Sequence, residues 1–157
     1  MSKNLVTYFS ASGVTAKLAK NLADAIGADL YEIQPETPYT DEDLNWNNPK
    51  SRSSVEMNDK SFRPAVASRL ENMEQYDCVF VGFPIWWYVA PTIINTFLEQ
   101  YDLTGKKVIP FATSGSSGMG GTNKELANSC KGAELVEGKR FSNNAKADEL
   151  KAWADKF

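Results

Sequence analysis

A doubly wound α/β domain, its parallel sheet covered by helices on both faces, is the fold class that this sequence predicts. Three observations predict it. Strand-like and helix-like patterns alternate from end to end, separated by short turns. The clearest strand candidate, Cys78 to Phe83, is a continuous apolar run of the kind that parallel strands buried on both faces need. A chain of 157 residues is long enough for one developed core and short for two, so one domain over residues 1–157 is expected.

Taken in order, the first strand covers about residues 4 to 9, with Leu5, Val6, Tyr8 and Phe9 as its apolar positions. A helix from about 13 to 26 follows from the spacing of Val14, Leu18, Leu22 and Ile26, and Gly27 stops it. Asp29 to Gln34 reads as the second strand, and Pro35 to Pro49 as a loop of Asx and proline turns. Lys50 to Lys60 carries no decisive pattern beyond room for one helical turn. A clearer helix is expected from Pro64 to Met73, with Val66, Leu70 and Met73 facing inward.

Pro84 ends the third strand, and Pro91 can open the next helix, whose Ile94, Phe97 and Leu98 face inward. Val108 to Ala112 forms the fourth strand, and a serine and glycine loop leads to a helix from about Gly120 to Ser129. Glu134 to Val136 can form a fifth strand, interrupted and resumed near Arg140-Phe141. The closing helix carries Leu150, Trp153, Ala154 and Phe157 on one stripe.

Composition narrows the function. Charged residues make up 24 % of the chain at a formal net charge of -3, and its cations are broken up by acidic and polar neighbours, which argues against a nucleic-acid surface. There is no histidine, so histidine triads and histidine metal sites are excluded. Cys78 and Cys130 lack a paired metal-ligand motif and read as small buried hydrophobes in a reduced intracellular chain. No apolar stretch approaches the length of a membrane span, so the expected protein is soluble and cytoplasmic, without membrane insertion.

The chemistry gathers in three segments that the fold class would place at the carboxyl ends of strands one, three and four, where open α/β sheets bind ligands. The first is Ser10-Ala11-Ser12-Gly13-Val14-Thr15, a hydroxyl-rich turn between strand and helix. Unpaired amides of the helix start, its partial positive charge and three hydroxyls suit a phosphate, although no lysine or arginine is present. The turn lacks the glycine-lysine loop of a nucleotide triphosphatase, and the dinucleotide glycine fingerprint is also missing.

The second segment runs from Pro84 through Ile85, Trp86, Trp87 and Tyr88 to Pro91. Its aromatics can present a flat face to a planar ring or simply fill a loop-helix interface. The third, Thr113-Ser114-Gly115-Ser116-Ser117-Gly118-Met119-Gly120, offers hydroxyls, amides and close backbone approach. One phosphate, one flat heteroaromatic body and one hydrogen-bonding edge outline a mononucleotide such as riboflavin phosphate.

Together these loops resemble the flavodoxin family, and within it the bacterial flavodoxin-like proteins whose second loop has the form Gly82-Phe83-Pro84-Ile85-Trp86-Trp87. Ser10 to Thr15 matches the phosphate loop, and Phe111-Ala112-Thr113-Ser114-Gly115 the third loop. The resemblance implies a five-stranded parallel sheet in order 2-1-3-4-5 and noncovalently bound FMN at its carboxyl edge. It implies that Ser10, Ser12, Gly13, Val14 and Thr15 hold the phosphate, with Ala11 contributing its amide alone. Pro84, Ile85, Trp86 and Trp87 would border the ring, and Thr113, Ser114 and Gly115 would approach its pyrimidine edge.

The function so implied is electron transfer between redox partner proteins, a reductase and an acceptor, with no catalytic side chain and no metal. The alternative is a small NAD(P)H-dependent FMN reductase acting on quinones or related electrophiles. A non-enzymatic interaction module, colourless and without tight FMN binding, is a third class.

Overall fold

The computed structural model describes residues 3–10, 13–45, 47–59, 61–86, 89–113, 119–142 and 145–157. Its elements are β1 (Asn4–Tyr8), α1 (Val14–Ile26), β2 (Asp29–Glu32), α2 (Arg52–Asn58), β3 (Cys78–Pro84), α3 (Thr92–Glu99), β4 (Lys107–Thr113), α4 (Thr122–Leu126), β5 (Glu134–Leu135), β6 (Lys139–Phe141) and α5 (Ala147–Ala154). All strand pairs are parallel, in the order β2-β1-β3-β4-β5, and β6 also pairs with β4.

The fifth position is one strand in two pieces. β5 lies beside Lys107 and Val108 of β4, and β6 beside Phe111 to Thr113. Val136 N–H donates to the Val108 carbonyl (2.9 Å), so Val108 faces this neighbour. Pro110, two residues on, faces it too and has no N–H to offer. Gly138 fills the gap. A Cβ there would lie 2.6 Å from the Pro110 carbonyl oxygen.

Successive residues of β3 send their side chains to opposite faces. Val79, Val81 and Phe83 join Ile93, Ile94, Phe97 and Leu98 of α3 in one buried cluster. Cys78 and Phe80 join Leu18, Ala19 and Leu22 of α1 and Leu150 and Trp153 of α5 in the other. Both cysteines are free and buried. Gly27, left-handed at φ 65°, ends α1, while Ala28 N–H returns to the Ala23 carbonyl (3.0 Å). The inner stripe of α1 begins at Thr15, because Val14 is 38 % exposed.

The helix expected from Pro64 to Met73 does not form. Residues 65–67 instead pair antiparallel with the chain just beyond β2, with Val66 bridging Pro35, Glu36 N–H donating to the Ala65 carbonyl (2.9 Å) and Ala67 N–H to that of Gln34 (2.7 Å). Only Met73–Gln75 turns, as a 3₁₀ helix. Val66 and Leu70 nonetheless pack against the α3-side core, and Met73 is buried in it. The inward spacing predicted from sequence holds without the helix, because an open backbone edge claims the segment. The intervening helix is α2, within the stretch that lacked a decisive pattern.

Candidate functional site at the carboxyl edge of the sheet

Strand register brings the three loops together. Tyr8 of β1 lies level with Gly82 of β3, and Gly82 with Phe111 of β4, so all three strands end at one edge. Phe9 N–H donates to the Gly82 carbonyl (2.9 Å), and Ile85 N–H to that of Thr113 (3.1 Å). Deeper in, Thr15 and Thr113 share a buried hydroxyl-hydroxyl hydrogen bond of 2.8 Å across 98 residues of sequence. A Cβ on Gly121 would meet Val89 Cγ1 at 3.6 Å, so the far end of the second loop lies near the residue that follows the third.

Ser10 and Gly13 shape the first loop. Gly13 adopts φ 92°, a left-handed conformation that a side chain would strain, and its N–H donates to Ser10 Oγ (3.0 Å). It stands at the N-cap of α1 without offering a capping side chain, and no acid occupies the helix's first turn. The first-turn amides have no intrahelical acceptors, and the end carries partial positive charge. A helix start left without an acid or a side-chain cap, beside two hydroxyls, suits a phosphate group. The donor set therefore fits the anionic end of the mononucleotide that the sequence suggested.

Pro84, Ile85 and Trp86 are half-buried along the second loop. Trp86 and Val89 exchange backbone hydrogen bonds of 3.0 and 3.1 Å, which ties the two described ends of the loop to each other. The Trp86 ring meets Phe9 edge-on at 5.7 Å and Tyr39 at 5.5 Å. At the start of α3, Thr92 Oγ1 is buried without a hydrogen-bond partner among the described residues.

Of the residues named from sequence, Ser10, Gly13, Val14, Thr15, Pro84, Ile85, Trp86 and Thr113 stand at this edge. Ala11, Ser12, Trp87, Ser114 and Gly115 lie outside the described residues. Phe9 and Tyr39 were not foreseen. Phe9 reads as the last core position of a strand, and Tyr39 sits in a turn-rich loop far from the other two segments. A cleft of about 380 Å³ opens at the same edge on the β2 side, lined by Phe9, Ser10, Glu32, Gln34, Pro35, Pro38 and Tyr39.

Residues 3–157 match the family described as Flavodoxin. The chain belongs to the flavodoxin family. Its fold is shared with a candidate flavoprotein from Bacteroides eggerthii DSM 20697, at 51 % identity and a TM-score of 0.93, covering 99 % of this chain and 98 % of that one. A candidate flavoprotein from Bacteroides uniformis ATCC 8492 is similar at 48 % identity and a TM-score of 0.92, covering 98 % of each chain. A flavoprotein from Lactobacillus acidophilus NCFM, solved in complex with FMN, is 21 % identical with a TM-score of 0.73, covering 98 % of this chain and 99 % of that one, a likeness of fold alone. No curated protein matches the chain. Among the described residues no group of acidic or cysteine side chains could hold a metal ion, and no helix is long and apolar enough to cross a membrane.

Proposed function

We propose that this flavodoxin-family chain binds FMN noncovalently at the three-loop edge and carries electrons between redox partner proteins. The observation that carries the proposal is the convergence of the loops, joined by the Thr15–Thr113 and Ile85–Thr113 hydrogen bonds. In this reading the hydroxyls of Ser10, Ser12 and Thr15 and the amides from Ala11 to Val14 hold the phosphate. Pro84, Ile85, Trp86 and Trp87 border the ring, and Thr113, Ser114 and Gly115 meet its polar edge. FMN, when bound, supplies the redox chemistry, and the protein supplies binding, orientation and electrostatics.

The composition of the loops supports a carrier. Across residues 10–15, 84–91 and 113–121 the only titratable side chain is Tyr88, so these three loops offer no strong general acid or base for a small-molecule substrate. A net charge of -3 suits encounter with a basic face on a reductase or acceptor.

Titrating the apoprotein with FMN while following flavin fluorescence tests the reading. Saturable quenching at one FMN per chain is expected, and Thr113→Val, which strands the buried Thr15 hydroxyl, should weaken binding about tenfold. Absence of both quenching and saturation in the unmodified protein would sink the proposal. Sustained turnover of the loaded protein with NAD(P)H and a quinone, needing no protein partner, would replace the carrier by a reductase.

A further inference from the structure

The Pro35–Pro49 loop and α2 carry a polar cluster that the three-loop reading does not use. Glu56 is 3 % exposed, on a helix whose apolar Val55 is 50 % exposed. The inversion is held by pairing. Tyr39 O–H donates to Glu56 Oε1, and Arg52 Nε donates to Oε2 at 2.9 Å. Arg52 also donates through Nη1 to the Thr37 carbonyl (2.7 Å), and its guanidinium carbon lies 3.8 Å from the centre of the Tyr39 ring. Tyr39 is thereby gripped on its ring face and at its hydroxyl.

The free edge of this ring abuts the site. Tyr39 meets Trp86 at 5.5 Å and 75°, and Phe9 at 5.5 Å and 64°, while Phe9 meets Trp86 at 5.7 Å and 88°. Each ring of the trio is edge-on to the other two, an arrangement favoured by the aromatic quadrupole that leaves little freedom to rotate one ring alone. Stability by itself gives weak reason to bury a carboxylate here, since a well-packed apolar group of similar volume serves as well or better. A directional tether is what the polar cluster adds.

We propose that Tyr39, tethered by Glu56 and Arg52, is a positioning residue that sets the orientation of Trp86 in the second loop, and through it the affinity and reduction potential of the bound flavin. The part concerning flavin rests on the FMN reading above; the orientation of Trp86 does not.

The two are separated by labelling the full chain with 5-fluorotryptophan and assigning the Trp86 fluorine resonance with Trp86→Phe. Tyr39→Phe keeps the ring and removes only the tethering hydroxyl, and Glu56→Gln removes the charge that holds Arg52. Both should shift or broaden the Trp86 resonance in the apoprotein and leave that of Trp153, buried on the opposite face of the sheet, in place. In the FMN-loaded protein both should weaken binding about three- to tenfold and move the flavin potential. Trp86 resonances unchanged in both variants overturn the proposal, as does a moved resonance with unaltered affinity and potential. A displaced Trp153 resonance would mark a variant as misfolded, and the milder Tyr39→Phe then decides. Failure of the unmodified protein to bind FMN would end the cofactor reading, while the fluorine shifts would still decide whether the tether sets Trp86.

Discussion

Gly82 shows how one missing side chain shapes the site's surroundings. A Cβ there would lie 2.3 Å from Cζ of Phe111 and 2.4 Å from its Cε2, so the Phe111 ring occupies the space that a side chain on β3 would fill. Gly82 also accepts the hydrogen bond from Phe9 N–H at the mouth of the first loop. Gly82→Ala should therefore act on both, destabilising the fold by about 1–3 kcal/mol through overpacking and loosening the junction of loops one and two. Urea unfolding checks the first effect, and a stability equal to that of the unmodified protein would contradict it. In the sequence, Gly82 is visible only as part of a loop motif. Its partner Phe111 is 29 positions away, and the need for the gap arises when β3 and β4 come into register.

Among the elements, α5 is anchored by one aromatic residue. Trp153 is buried against Phe80, Phe111, Phe141 and Phe157 at ring separations of 5.1 to 6.3 Å, joining the terminal helix to β3, β4 and β6. Trp153→Ala should cost about 3–5 kcal/mol, seen as a lowered midpoint in thermal or urea unfolding. The stripe of Leu150, Trp153 and Ala154 announces this packing in sequence, because helical spacing of large apolar groups needs no knowledge of the partner face. α2 is the opposite case. Its buried face is made by Ser53, Ser54 and Glu56, and Glu56 is held inward by Tyr39 and Arg52, so no apolar period could mark it. The interruption of the fifth strand lies between these extremes. Pro110 and Gly138 both punctuate their strands in the sequence, but only pairing places them opposite each other.

At the scale of the whole molecule, the candidate binding groups and a separate stabilising network occupy opposite edges of the sheet. At the amino-terminal edge Tyr76 donates to Asp29 (2.6 Å), Lys3 lies 3.7 Å from Asp29, and Lys106 donates to the Tyr76 carbonyl. Burial, the hydrogen bond to Asp29 and the nearby Asp29 charge push the Tyr76 phenol from 10.0 up to about 12. The folded state thus holds this proton more tightly than the unfolded chain. Its contribution to stability is complete below pH 10 and is lost as pH rises toward 12. Unfolding measured across that window should show an alkaline decline that Tyr76→Phe flattens, and an identical decline in the variant would refute the assignment.

The α/β class, helices on both faces of the sheet and the three candidate binding segments are legible without coordinates, because apolar period, turn chemistry and hydroxyl-rich composition are local properties. Only the folded chain fixes that residues 65–67 pair beyond the end of β2, that Thr15 and Thr113 meet, and that Glu56 turns inward to hold the ring beside Trp86. These depend on free hydrogen-bonding edges and on polar partners distant in the chain. Such pairing energies exist only once the sheet has set the distances.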